Sequence, residues 1–172
     1  DYSAMVAGPS HFADHRLGPL TRGARPPGQV PWLRSIEAST DLRQVMAEAR
    51  GSGASAIKIY TDLSPDLVRA VTAEAHRQGL KVWAHGIVFP QRPADLVRSG
   101  VDTVSHVCML AYEASRDVPQ HYAWPRAPVD EAADASPAMA ALFREAARQG
   151  IILDATLFVY DEIERRRAEA ED

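Results

Sequence analysis

Short apolar runs alternate along the chain with segments whose apolar residues recur at helical spacing. The runs are short enough for buried strands of a parallel sheet, which span roughly four to eight residues. They occur near Ala4 and at residues 56–61, 80–85, 101–106 and 151–156. Helices with one apolar face are predicted at residues 40–50 (capped by Ser39 or Thr40), 65–78, 93–99 and 137–149, and a charged helix follows from Asp161.

Residues that begin and end helices mark the boundaries of these segments. Ser64 and Ser136 each place a capping hydroxyl before a proline at the first helical position. Gly79, Gly100 and Gly150 each follow a helix and precede a strand. Strands and helices that alternate in this way predict parallel strand pairing with right-handed crossovers.

The fold class predicted from this pattern is α/β, a parallel barrel of strands and helices of the TIM type. About five strands are expected from the 172 residues, whereas a closed eight-stranded barrel typically needs ~250 residues. We therefore expect a partial barrel in one domain over residues 1–172, with a small open sheet as the alternative. Residues 8–31 and 107–135 lack a clear period and are predicted to be loops or insertions at the rim.

The composition excludes several classes of function. The chain is 46% hydrophobic and 24% charged, which is ordinary for a globular protein. Its net charge of -4 and its pI of 5.9 argue against a nucleic-acid-binding surface. No apolar run approaches the ~20 residues of a membrane span. The single cysteine, Cys108, excludes an internal disulfide without identifying the compartment, for which the cytoplasm is favoured.

Lys58, His85 and His106 are the residues that most suggest chemistry. Lys58 lies in one predicted strand, and each histidine ends one of the two strands that follow. Strand ends of a parallel barrel converge on one rim, where active sites of such barrels lie. Side-chain alternation groups His106 with Val104 on one face of its strand. An amine and two imidazoles at one rim predict a metal site with one or two divalent ions, for which zinc is favoured.

Other roles for these residues stay open. A lysine at a strand end is commonly solvated or ion-paired, and a single histidine there is commonly a hydrogen-bonded structural residue. Lys58 could instead be a Schiff-base lysine of an aldolase-like barrel, which requires a desolvated pocket that lowers its pKa. A third alternative is a non-catalytic truncated barrel that binds a partner through exposed sheet edges.

The remaining histidines and the cysteine give weaker signals. His11 and His15 lie in a predicted loop, and metal binding there is disfavoured because the segment is not helical. His76 is expected to face solvent from a helix, whereas His121 could line a substrate pocket. Cys108 is only a weak candidate for a nucleophile.

The segments that carry these residues resemble the amidohydrolase superfamily, in particular its imidazolonepropionase-like and prolidase-like members. The resemblance rests on residues 56–60, 76–79, 82–86 and 100–106, which follow one another in the order and spacing of that family. It implies a distorted eight-stranded barrel. It also implies a metal-dependent hydrolase that acts on carbon–nitrogen bonds of amide or peptide-like substrates.

The same resemblance implies a role for each candidate residue. Lys58 corresponds to a carboxylated lysine on strand four, whose carbamate can bridge two metals, and His85 and His106 correspond to metal ligands of strands five and six. The family's His-x-His pair and its final strand-end Asp are not found in the chain. We therefore expect an incomplete portion of the catalytic barrel, inactive in isolation, with Asp154 as the best substitute base.

The expected partners follow from the rim and from the sheet edges. Aromatic and Arg residues in or near the predicted rim loops suit a small peptide-like or acyl-amino-acid substrate. They are Trp32, Tyr112, Tyr122, Trp124 and Arg126. An open barrel also leaves unpaired strand edges, so we expect the chain to associate with another copy or with further barrel segments.

Overall fold

The described part of the chain is an open, mostly parallel sheet with helices packed against it. The computed structural model describes residues 2–121, 136–158, 161–162 and 165–166. Within these residues one seven-stranded sheet contains β1 (Ser3–Ala7), β2 (Gln29–Val30), β3 (Leu33–Ser35), β4 (Ala56–Ile59), β5 (Lys81–His85), β6 (Thr103–Ser105) and β7 (Ile152–Asp154). The α-helices of the same residues are α1 (Leu42–Gly51), α2 (Pro65–Arg77), α3 (Pro93–Arg98) and α4 (Pro137–Gln149).

The order of the strands across the sheet follows the order along the chain over most of its width. That order is β2-β3-β1-β4-β5-β6-β7, and every neighbouring pair is parallel except β2 with β3. One α-helix precedes each of β5, β6 and β7, as a parallel strand pair requires. The described residues leave this sheet open, with β2 and β7 at its edges.

The sheet contains more strands than the sequence pattern reveals. The expectation of about five strands accounts for β1 and for β4 to β7, but β2 and β3 are additional. β2 has two residues and lies inside residues 8–31, which were predicted to be a loop; two 3-10 helices, Pro9–Ala13 and His15–Thr21, occupy much of that segment. Runs of two or three residues are too short to show the alternation that predicts a strand.

The second predicted rim loop is described only in part. Val107–Glu113 forms a 3-10 helix directly after β6. Residues 122–135, which include the predicted substrate-contacting Tyr122, Trp124 and Arg126, lie outside the described residues. The structure therefore bears on the first half of this segment alone.

Side-chain hydrogen bonds at the helix starts explain where the helices begin. The hydroxyls of Ser64 and Ser136 each accept a hydrogen bond from a backbone amide three residues later, as predicted. The side chain of Asp41 does the same for α1, rather than Ser39 or Thr40. All three residue types cap helices well, so the sequence alone does not distinguish neighbours of this kind.

The four α-helices share one apolar core with one face of the sheet. On that face Ile57, Ile59, Val82, Ala84 and Val104 of the central strands are fully buried. The helix residues in the same apolar cluster are Val45, Met46, Ala49, Val68, Val71, Ala75, Leu96, Val97, Met139, Leu142 and Ala146. Removing this area from water is the main source of stability for the described fold.

The opposite face of the sheet carries the side chains that alternate with the core residues. The strand register places Met5, Lys58, Trp83, Thr103 and Ile152 in one row across the sheet. Trp83 is 37% exposed and Ile152 is 64% exposed. Doubly wound sheets have helices on both faces, whereas barrels have them on the outer face only. The packing is therefore compatible with part of an α/β barrel.

The tail is helical where it is described. Residues 157–158, 161–162 and 165–166 are helical, so helical backbone occurs before Asp161 as well as within the predicted charged helix. Leu157 and Phe158 at its start are strongly exposed. Among the described helices none has the length and apolar character needed to cross a membrane.

Substituting the same residue type on the two faces of the sheet tests this one-sided packing. Ile57→Ala should lower the free energy of unfolding by about 2–5 kcal/mol, because it leaves a cavity in the core. Ile152→Ala on the opposite face should cost less than about 1 kcal/mol. Urea denaturation followed by circular dichroism measures both. Similar losses for the two variants would show that both faces are packed equally.

Candidate metal centre

Lys58 projects from β4 onto the face of the sheet opposite the helices, where it is largely removed from water. Its Nζ donates a hydrogen bond to Oγ of Ser105 in β6 and lies 4.8 Å from the centre of the Trp83 ring in β5. Burial disfavours the charged ammonium and lowers the pKa of Lys58 to about 8, although the charge of Asp154 acts in the opposite direction. A neutral amine is therefore accessible close to neutral pH.

His85 ends β5 as a buried, neutral imidazole that is 5% exposed. Its Nδ1 lies 3.2 Å from the carbonyl oxygen of Ile87. A carbonyl oxygen only accepts hydrogen bonds, so Nδ1 carries the ring proton and Nε2 carries the lone pair. Burial is the largest influence that lowers the pKa of His85 to about 3, and the nearby His106 and Lys58 add to it.

His106 reaches the same region because its backbone departs from the strand. Val104 is buried on the helix-facing side of β6, and Ser105 faces Lys58. Continued alternation would turn His106 toward the helices with Val104, but His106 follows the end of β6 with φ 66° and ψ 61°. The expectation that His106 shares a face with Val104 is therefore wrong. The left-handed conformation is uncommon outside glycine and reverses the direction of the side chain.

The ring of His106 lies against that of His85, and their centres are 4.6 Å apart. The backbone N–H of His106 donates to the carbonyl oxygen of Asp154 at 3.0 Å, and its Nδ1 lies 2.9 Å from Oγ1 of Thr156. Burial and the charge of Lys58 lower the pKa of His106, while the carboxylate of Asp154 opposes the shift. The structure thus brings Lys58, His85 and His106 to the carboxyl ends of three adjacent strands.

A row of four rings connects this centre to the N-terminal segment. The ring of Tyr60, just after β4, lies 5.1 Å from that of His85 and 4.6 Å from that of His11. Burial is the largest influence on His11 and lowers its pKa. His11 therefore lies one ring away from the candidate centre, whereas His15 is exposed.

A cavity of about 600 Å³, named here the rim cavity, lies beside Tyr60. Its lining combines apolar side chains with polar and charged ones. The lining residues are Met5, Ser10, His11, Asp14, Arg16, Leu17, Leu20, Tyr60, Asp62 and His121. His121 thus lies in a pocket wall, as the sequence suggested.

His76 lies away from the centre, Cys108 follows His106 closely along the chain, and two residues that contact the candidate residues give no sequence signal. His76, expected to face solvent, is partly exposed and its Nε2 lies 2.7 Å from the carboxylate of Asp102. Cys108 lies in the 3-10 helix that follows His106 and is partly exposed. Ser105 and Thr156 contact the candidate residues, but small hydroxyl residues at strand ends give no distinctive sequence signal.

The donor set fits part of a metal-binding shell. Within the described residues, no group of three or more His, Cys, Asp and Glu side chains is arranged to hold a metal ion. Lys58 and two neutral imidazoles remain as the donors of the predicted site. Metal-ligating histidines usually donate one ring N–H to a carbonyl or carboxylate and bind through the other nitrogen, which is the arrangement of His85.

Comparison with solved structures shows the fold that the chain shares with another protein. An uncharacterized protein of known crystal structure superposes on 98% of the chain with a TM-score of 0.57 and 22% sequence identity. The matched region is 38% of that protein. A Xaa-Pro dipeptidase with methionine bound in its active site superposes on 90% of the chain with a TM-score of 0.43 and 17% identity, over 46% of its own length.

No match in sequence accompanies this likeness in structure. No family model matches the chain. No curated protein sequence matches it significantly. The chain spans less than half the length of the two solved structures described above. The first of these likenesses shows an α/β fold.

A substitution at Gly86 tests how tightly the backbone at His106 is packed. A Cβ at this position would lie 2.5 Å from the carbonyl oxygen of His106 and 2.8 Å from that of Ser105. Gly86→Ala should therefore displace the left-handed turn at His106 and lower stability by about 1–3 kcal/mol. Chemical denaturation and the imidazole NMR signals of His106 report the two effects.

Gly51→Ala is the matched control, because a Cβ at Gly51 meets nothing within 4 Å. Gly51 ends α1, so its replacement should change stability by less than about 1 kcal/mol. An unperturbed His106 spectrum in Gly86→Ala would contradict the close packing.

Proposed function

We propose that Lys58, His85 and His106 bind one or two divalent metal ions, zinc being the first candidate, in the catalytic centre of a metal-dependent hydrolase of the amidohydrolase type. The reaction is cleavage of carbon–nitrogen bonds in amide or peptide-like substrates. One observation carries the proposal: the hydrogen bond from Nδ1 of His85 to a backbone carbonyl leaves the lone pair on Nε2, beside a second imidazole and a desolvated amine.

Lys58 contributes through its neutral form. A neutral amine attacks carbon dioxide, forms an N–C bond and releases one proton, which yields an anionic carbamate. A lysine with a pKa of about 8 has an appreciable neutral fraction near neutral pH. The carbamate provides oxygen ligands, and the hydroxyl of Ser105, already bonded to Nζ, is placed to hold the modified side chain.

The chain's own residues shape the centre, exclude water from it and provide neutral ligands. A bound metal would lower the pKa of a water molecule and polarise the scissile carbonyl. His85 is almost completely buried, which removes competing water from one side of the centre. The low pKa of His85 keeps its imidazole neutral and available as a ligand over the whole physiological range.

The rim cavity is the proposed substrate-binding region. Its volume of about 600 Å³ lies within the usual range for small-molecule sites. Apolar Met5, Leu17 and Leu20 suit an acyl or side-chain group, and the side chains of Asp62 and Arg16 offer polar contacts. Tyr60 lines the cavity and its ring contacts His85, so the cavity lies next to the candidate centre.

A Schiff-base lysine is the second candidate function, because the lowered pKa of Lys58 would also favour attack on a carbonyl. The adjacent imidazoles suit metal binding better than this chemistry. Borohydride reduction in the presence of a carbonyl substrate separates the two. A stable adduct on Lys58 would support the aldolase-like alternative over the hydrolase.

Carbamate formation is the first test, and the chain is suited to it because it has only two lysines, Lys58 and Lys81. In ¹³C-bicarbonate the full chain should show a carbamate NMR signal that grows as the pH rises through about 8, since only the neutral amine reacts. The component of the signal that comes from Lys58 should vanish in Lys58→Met, which leaves only the carbamates of Lys81 and of the α-amino group.

Lys81→Met is the matched control and should retain the signal. Lys81 is exposed, and its Nζ is ion-paired with Asp102 at 2.8 Å. A carbamate spectrum of Lys58→Met that is identical to that of the unaltered protein would remove Lys58 from the proposed centre.

The second test asks whether zinc binding requires both imidazoles. His85→Ala and His106→Ala should each weaken zinc binding at least about tenfold, because either loss leaves too few ligands for a four-coordinate shell. Elemental analysis and titration with a zinc indicator measure stoichiometry and affinity. His76→Ala, remote and paired with Asp102, should bind zinc as the unaltered protein does. Unchanged binding in both site variants would contradict the proposal.

A further inference from the structure

We propose that Thr156 is a positioning residue that fixes the imidazole of His106 in the tautomer with its proton on Nδ1 and its lone pair on Nε2. The expected effect of Thr156 on metal affinity rests on the proposed metal centre. The tautomer itself follows from hydrogen bonds of the chain and is measurable without a metal.

The direction of the bond between Thr156 and His106 follows from a second hydrogen bond. The hydroxyl of Thr156 donates to the carbonyl oxygen of Ala155 at 2.8 Å. A hydroxyl has one proton, so while that proton is donated to Ala155, Oγ1 accepts from Nδ1 of His106, 2.9 Å away. A neutral imidazole carries one ring proton. That proton therefore lies on Nδ1, and Nε2 has the lone pair.

Asp154 holds Thr156 in the position that this bond requires. Oδ1 of Asp154 accepts a hydrogen bond from the backbone N–H of Thr156 at 3.1 Å. Thr156 has a φ of 51°, a conformation that β-branched residues rarely adopt. The same Asp154 accepts the backbone N–H of His106 through its carbonyl oxygen. The ends of β6 and β7 are thus joined by the backbone amide of His106 and by the side-chain bond between His106 and Thr156, while the bond from Thr156 to Asp154 fixes the turn after β7.

The two histidines obtain the same tautomer from different partners. His85 bonds to the backbone of Ile87, so no substitution at Ile87 removes its acceptor. His106 has left its strand, and its Nδ1 contacts a side-chain hydroxyl, which substitution can remove. Substitution at residue 156 therefore acts directly on the Nδ1 contact of His106.

The test uses the full chain labelled with ¹⁵N-histidine, free of metal and at a pH above the ordinary pKa of imidazole. Two-bond ¹H–¹⁵N correlation spectra distinguish the tautomers, and His106→Gln assigns the signal. The unaltered protein and Thr156→Ser should show Nδ1–H for His106. Thr156→Val, and Thr156→Ala if the valine variant does not fold, should shift the population toward Nε2–H.

Zinc affinity is the second readout. Loss of the hydroxyl should weaken zinc binding by roughly 10–100-fold, as loss of a partner that orients a ligand does, while Thr156→Ser stays within about threefold. Thr72→Val is the control, since its buried hydroxyl bonds only to the preceding helical turn, at Val68. This control should alter neither the tautomer nor the affinity.

Three results would overturn the inference. They are an Nε2–H tautomer of His106 in the unaltered protein, an unchanged tautomer in the variants that lack the hydroxyl, and a loss in Thr156→Ser as large as in those variants. A different result would show that the proposed function, rather than this inference, is wrong. An Nδ1–H tautomer that depends on Thr156, in a protein that does not bind zinc, would support this inference and remove the metal centre.

Discussion

The alternation of side chains along β4, β5 and β6 determines what is buried, and along β4 and β5 it also determines which side chains reach the candidate centre. Every second residue of these strands packs into the apolar cluster beneath the helices. The intervening residues must then point to the opposite face, which in barrels is the inner face. Lys58 and His85 occupy such positions. The hydrophobic core therefore selects the face on which polar residues can converge.

Burying an amine on that face reduces stability. The pKa of Lys58 falls from 10.5 to about 8 on folding, so the unfolded chain holds the proton more tightly. The penalty, on the order of 3 kcal/mol, is fully present below about pH 8 and is relieved as the pH rises toward 10.5. This net penalty already includes the favourable charge of Asp154, without which it would be larger. A residue retained against such a penalty is a candidate for function, because a neutral aliphatic side chain would be more stable there.

Much of the fold could be predicted from the sequence, because short apolar runs, helical periodicity and glycine stops report on local structure. The strands β4 to β7 and the helices between them follow from such signals. β2 and β3 could not be predicted, since their two or three residues show no period. β3 pairs with the edge of β1, and β2 pairs with β3. The position of His106 was predictable to the strand end, but its orientation was not. Its left-handed backbone depends on contacts with Asp154 and Thr156, about fifty residues away in sequence.

The row of rings has a consequence for how the rim cavity and the centre respond to each other. Tyr60 forms part of the cavity wall, and its ring packs against His85. A ligand that displaces Tyr60 must alter the packing around His85, and fixing His85 must in turn restrict Tyr60. Thermodynamic linkage makes this effect reciprocal. The factor by which a ligand in the cavity changes the affinity of the centre for its ligand equals the factor by which the ligand of the centre changes the affinity of the cavity. The wall between the cavity and the centre is therefore also the element that couples them.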